Sequence, residues 1–97
     1  MKKVEIKSIK WNEEKNKILQ QTRNICFEDI LLAIQEKRII NIEIHPKKDL
    51  YPHQKIIILE HNKYIYIIPF IENETEIFLK TIYPDRIYYQ KYKHLIS

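Results

Sequence analysis

The chain has 97 residues, of which 44% are hydrophobic and 31% charged, and its formal net charge is +4. This is a globular profile for one domain, too rich in apolar residues for disorder, with no apolar run near the roughly 20 residues a membrane helix needs. A single cysteine, Cys26, rules out an intrachain disulfide, and Met1-Lys2-Lys3 leads into alternating Val4, Glu5, Ile6, Lys7 with no signal-peptide block. A cytoplasmic, reducing setting is the expectation. The basic excess invites a polyanion partner, but with 21 Ile, 14 Lys, 3 Arg and no Gly the composition is also what an AT-rich genome imposes. Where the charges sit therefore says more than their sum.

Val4 and Ile6 alternate, and Ile9 and Trp11 alternate in the opposite phase, so a first strand with a slip at Ser8 is expected. Asn12 is placed to cap a helix that opens with Glu13 and Glu14 and runs to about Thr22. Asn24 tolerates left-handed backbone and suits its C-cap. A second helix follows from Cys26 as N-cap, with Phe27, Ile30, Leu31 and Ile34 on one stripe. Ile25 can staple to Ile30, with Glu28 and Asp29 opening the helix and Lys37 and Arg38 closing it.

From Ile39 the period becomes two. Ile40, Ile42 and Ile44 alternate with Asn41, Glu43 and His45, predicting a half-buried strand. Pro46 and Pro52 bracket a polar loop over 47–53, and strands over 55–60 and 64–70 are joined by a hairpin at His61-Asn62-Lys63. A strand from Glu76 to Tyr83 precedes a last helix from Asp85 to about His94, with Pro84 fitting its first position. The order β-α-α-β-β-β-β-α with short final connections implies a single α+β domain over residues 1–97. It would be an antiparallel meander with helices packed on one face.

Without glycine no Gly-rich nucleotide loop exists, and His45, His53, His61 and His94 show no zinc-ligand spacing. No metal or cofactor is implied. Cys26 at a helix N-terminus would have its thiolate favoured, though capping or packing is the plainer role. The segment from Lys80 to Ser97 is the informative one. Lys80, Arg86, Lys91 and Lys93 stand against one acid, Asp85, and are interleaved with Tyr83, Tyr88, Tyr89 and Tyr92. Cations hold phosphates and aromatic faces stack on unpaired bases, so this mixture suits single-stranded RNA. The plain alternative is an amphipathic helix that turns Tyr88, Tyr92 and Leu95 to a sheet.

The run Trp11-Asn12-Glu13-Glu14-Lys15-Asn16 followed by Ile25-Cys26-Phe27-Glu28-Asp29 resembles the opening of BrnT-type toxins. Asn24 stands where that family has Gly, Cys26 where it has Ser, and Arg23 where it has His. His45-Pro46, Tyr51-Pro52-His53-Gln54 and Phe78 to Arg86 resemble a lysine-rich branch of similar small bacterial proteins. The resemblance implies a RelE-like fold and a metal-independent endoribonuclease of a type II toxin–antitoxin pair. Cleavage would proceed by attack of a ribose 2′-hydroxyl on the adjacent phosphate. Carried onto this chain, it casts Lys80 and Arg86 as phosphate and transition-state clamps, with Arg86 able to pair bidentately. His53 and Tyr92 become candidates for proton transfer, and Lys91, Lys93, Tyr88 and Tyr89 the RNA-binding set. A cognate antitoxin, acidic where it covers Lys80, Arg86, Lys91 and Lys93, is the implied partner, and no membrane is. Two alternatives are a non-catalytic nucleic-acid-binding module and a protein-interaction domain, an inactive toxin relative, that pairs through an Ile-rich edge strand.

Overall fold

A computed structural model describes residues 7–96; the expected strand positions Val4 and Ile6 lie outside them. Strand β1 (Ser8–Trp11) ends at Asn12, whose Oδ1 accepts the Lys15 N–H at 2.9 Å and caps helix α1 (Glu13–Arg23). Asn24, at φ 55°, turns the chain out of α1 as expected. Helix α2 (Phe27–Gln35) starts at Cys26, whose backbone N–H donates to the Asp29 carboxylate at 3.0 Å. Buried Asn16 ties the two helices together. Its Oδ1 accepts the Phe27 N–H at 2.7 Å while its Nδ2 donates to Glu28 at 2.9 Å.

Lys37 and Arg38 lie just past α2, not in its last turn. Lys37 takes φ 60°, its N–H bonds the Ile34 carbonyl at 3.1 Å, and the Arg38 N–H bonds that of Ala33 at 2.9 Å. This is a Schellman ending with lysine in the left-handed site that glycine usually fills.

The sheet contains β2 (Ile39–Ile44), β3 (Lys55–His61), β4 (Tyr64–Glu72), β5 (Glu76–Leu79) and β6 (Tyr83–Pro84), besides β1. Its order is β1-β5-β4-β3-β2, with β6 also beside β4. The β3–β4 hairpin turns at Asn62 (φ 51°) and Lys63 (φ 63°), the two positive angles of a type I′ turn. The α+β expectation holds, with six strands and three helices among the described residues, and several details of the arrangement differ from the expectation.

First, the sheet is mixed. β1 joins the edge parallel to β5, in register from Ser8 opposite Glu76 to Trp11 opposite Leu79. Second, helices cover both faces. Leu19, Ile25, Phe27 and Ile30 pack with Ile57, Leu59, Ile68 and Phe70 on one side, where Trp11 stacks on Phe27 at 5.5 Å. On the other, Ile56, Ile58, Ile65 and Ile67 lie beneath Tyr88, Tyr89 and Tyr92 of helix α3 (Arg86–Tyr92). The cause is in the strands themselves. β3 and β4 carry consecutive apolar residues, so both of their faces need a cover. Third, the alternation of Ile40, Ile42 and Ile44 does not put them on one face. A register shift between Ile39 and Asn41 turns Ile40 to the α3 side. Ile42 and Ile44, opposite Ile57 and Lys55, stay half-exposed or more at the sheet edge.

The strand expected from Glu76 to Tyr83 is also two pieces, and Pro69 accounts for the break. Its carbonyl accepts the Lys80 N–H at 2.8 Å. In an antiparallel ladder a residue's C=O and N–H point to the same neighbour, so the donor that proline lacks would have faced this edge. Phe70 pairs with Leu79 and Ile67 with Tyr83, so two residues of β4 face three of the edge. Ile82 drops into the core, and the Arg23 guanidinium donates to its carbonyl at 2.6 Å. Pro84 closes β6 and is not the first helical residue. Asp85 caps α3, with Oδ1 accepting the Tyr88 N–H at 2.9 Å. The expected helix to His94 is α3 followed by a 3-10 turn over Lys93–Leu95. No helix among the described residues is long and apolar enough to cross a membrane.

Candidate functional site

Four separate segments meet at the sheet end where Pro69 breaks the edge. They are the first turn of α1, the loop from His45 to Gln54, the break at Lys80–Thr81, and the step from β6 into α3. They enclose a cleft of about 660 Å³, in the range of small-molecule sites. Lys15, Lys47 and Lys80 line it, and none of the three makes an ion pair among the described residues. Asp85 is the one acid in the lining. Three ammonium groups less one carboxylate leave a formal +2 along the cleft, which favours an anionic ligand.

His45 forms part of the wall and is only 7% exposed. Its backbone N–H donates to the Gln54 carbonyl at 3.2 Å, and its ring packs on Tyr51 at 4.6 Å between centroids. Nδ1 accepts the Lys47 N–H at 3.0 Å, so in the neutral ring the proton sits on Nε2. Burial, helped by the Lys47 ammonium, holds the imidazole below its ordinary value and therefore neutral. Burial also pushes the Tyr83 and Tyr88 phenols upward, so both remain donors.

A second basic, aromatic patch lies where α3 crosses β2, and its groups are already paired. The Glu43 carboxylate accepts from the Tyr92 hydroxyl and from Lys91 Nζ at 3.2 Å, while Asn41 Nδ2 donates to the Tyr92 oxygen at 3.0 Å. The Tyr92 hydroxyl is the main cause that holds the Glu43 carboxyl below the usual range, and Glu43 in turn raises Lys91. Tyr89 stacks on Tyr64 at 4.5 Å and 15°.

The eight residues singled out in the sequence are thus dispersed. Lys80 and Tyr88 line the cleft. Arg86 is exposed and unpaired among the described residues, between the lining residues Asp85 and Ile87. Tyr92 and Lys91 hold Glu43, Tyr89 holds Tyr64, and Lys93 is exposed. His53 is exposed in a turn and does not line the cleft. Sequence reasoning missed Lys15, His45, Lys47 and Asp85 as partners. The only signal was the proline after His45, which marks a loop and not a wall.

No family model, curated protein or solved structure matches the chain. Geometry has to carry the function. Among the described residues no three His, Cys, Asp or Glu side chains cluster as metal ligands would. What the cleft offers is three lysines, a neutral imidazole and the half-buried phenols of Tyr83 and Tyr88.

Proposed function

We propose that the chain binds single-stranded RNA in this cleft and cleaves it, as a toxin-type ribonuclease of RelE-like kinship acting in the cytoplasm. The observation that carries the reading is the convergence of Lys15, Lys47 and Lys80, none in an ion pair among the described residues, on a cleft whose histidine is held as a neutral donor. Lysines hold the scissile phosphate and offset the charge that builds on it when a 2′-hydroxyl attacks. Arg86, exposed at the start of α3, holds a neighbouring phosphate of the strand. The resemblance to BrnT-type toxins supports the same reading from Trp11 to Asp29. An acidic antitoxin segment then has the cleft to cover, and not Lys91, whose charge Glu43 already balances.

The test is purified protein on short single-stranded RNAs with chelator present, with products scored for a 2′,3′-cyclic phosphate end. Wild type should cut, and Lys80→Ala should cut on the order of 100-fold more slowly. One observation favours a second reading, a binding module without cleavage. The lone pair of His45 that could take a proton is occupied by the Lys47 N–H. RNA bound in the cleft yet intact after long incubation would establish that reading in place of the first.

A further inference from the structure

The geometry points to Asp85 as the group that takes the 2′-hydroxyl proton, an inference that rests on the ribonuclease reading. The cleft's lining leaves few acceptors. A lysine ammonium has no lone pair with which to accept a proton, and a phenol is a poor acceptor in its protonated form. Tyr83 and Tyr88 are held further toward that form by burial. The His45 imidazole faces the cleft with no free lone pair, since Nδ1 accepts the Lys47 N–H at 3.0 Å and Nε2 carries the proton. Thr81 and Gln54 are too weakly basic to take a proton. Asp85 remains.

Its two carboxylate oxygens are divided. Oδ1 accepts the Tyr88 N–H at 2.9 Å and fixes the side chain at the start of α3, while Oδ2 has no protein partner among the described residues. The backbone is pinned as well, because the Asp85 N–H donates to the Ile65 carbonyl of β4 at 3.2 Å. A carboxylate anchored by one oxygen and open at the other is positioned to serve as a general base. The surrounding ammonium groups draw the phosphate beside it.

In the step, O2′ forms its bond to phosphorus as its proton passes to Asp85 Oδ2. The bond from phosphorus to O5′ breaks, and the leaving oxygen takes a proton from the Lys80 ammonium. The products are a 2′,3′-cyclic phosphate and a 5′-hydroxyl. Water then returns a proton to Lys80 and removes one from Asp85, so no redox partner or cofactor enters.

Asparagine and serine cap helices about as well as aspartate, so Asp85→Asn and Asp85→Ser keep the α3 start while removing the base. Both variants should lose at least about 100-fold in kcat on single-stranded RNA. Their RNA affinity should be unchanged or tighter, because a negative charge has left a cationic cleft. Melting temperatures should stay close to wild type. If wild type cuts RNA and Asp85→Asn keeps kcat within about threefold, the assignment of the base falls while the ribonuclease reading stands. If affinity falls with the rate, Asp85 organises the cleft and is not the base. Failure of wild type to cut RNA at all would remove the ribonuclease reading first.

Discussion

Two regions of this protein have nearly the same ingredients. The α3–β2 crossing brings together Lys91, Tyr92, Tyr88 and Glu43, and the cleft brings together Lys15, Lys47, Lys80, Tyr83, Tyr88 and Asp85. In the first, one carboxylate receives both a hydroxyl and an ammonium, and the aromatic rings lie on the sheet. In the second, three ammonium groups make no ion pair among the described residues and the one carboxylate faces a backbone N–H. Composition does not separate a structural patch from a binding site. What separates them is whether each charge already has its partner in the folded chain.

The largest test of that contrast is charge removal. Lys15, Lys47 and Lys80 changed together to Ala should flatten the slope of log affinity against log salt by about 2, since each single-strand phosphate contact adds roughly 0.7. Lys91→Ala should leave the slope nearly unchanged, and an equal drop for Lys91 would dissolve the distinction between the two regions. Next in size is Tyr92→Phe, which removes a hydroxyl from the Glu43 carboxylate. It should cost about 1 kcal/mol in denaturant unfolding, below the range usual for a bond to a charged group because Glu43 is partly exposed. RNA cleavage should survive. A folded Tyr92→Phe protein without activity would return Tyr92 to the chemistry.

The acid response separates the regions as well. His45 has a folded value below its ordinary 6.5, so the unfolded chain takes up a proton that the folded one refuses. The stability this gives is complete above 6.5 and is lost as pH falls through the lowered value. Glu43 is depressed below 4.5, so its contribution is lost only at more acid pH. His45→Asn should flatten urea midpoints just below pH 6.5 and leave the more acid limb alone. The left-handed backbone sites give a reference that involves neither the cleft lining nor the Glu43 network. Lys37→Gly, at φ 60°, should stabilise by about 0.5–1 kcal/mol in thermal melts. Asn24→Gly, at φ 55°, should change little, because asparagine already tolerates that region, whereas Asn24→Val should cost roughly 1 kcal/mol or more.

Local features of the fold were readable in the sequence because local chemistry sets them. Asn12 and Cys26 start helices, Asn24 ends one, and Asn62 turns a hairpin, each through its own backbone or that of a near neighbour. The uninterrupted isoleucines of β3 leave two apolar faces, and the meander expected from the element order covers only one of them. The parallel arrival of β1 depends on its pairing with a strand almost 70 residues away, which no local pattern records. The cleft was hidden for the same reason, since Lys15, Lys47 and Lys80 lie far apart in the chain and only the topology gathers them. Tyr88, Tyr89 and Tyr92 mislead in the other direction. A ring that packs on a sheet and a ring that stacks on a base leave the same mark in a sequence.

Pro69 also bears on how the chain finds its final alignment. β strands can slip by two residues and keep every side chain on its proper face, so facing alone does not prevent misalignment. Along most of β4 such a slip would exchange one set of backbone bonds for another of similar worth. Opposite Pro69 it cannot, because a strand carbonyl moved to that point would meet no donor on β4. The last third of the molecule is therefore keyed to the middle by an absent hydrogen. β5, the break and β6 can settle in one alignment, and α3 follows them to its place.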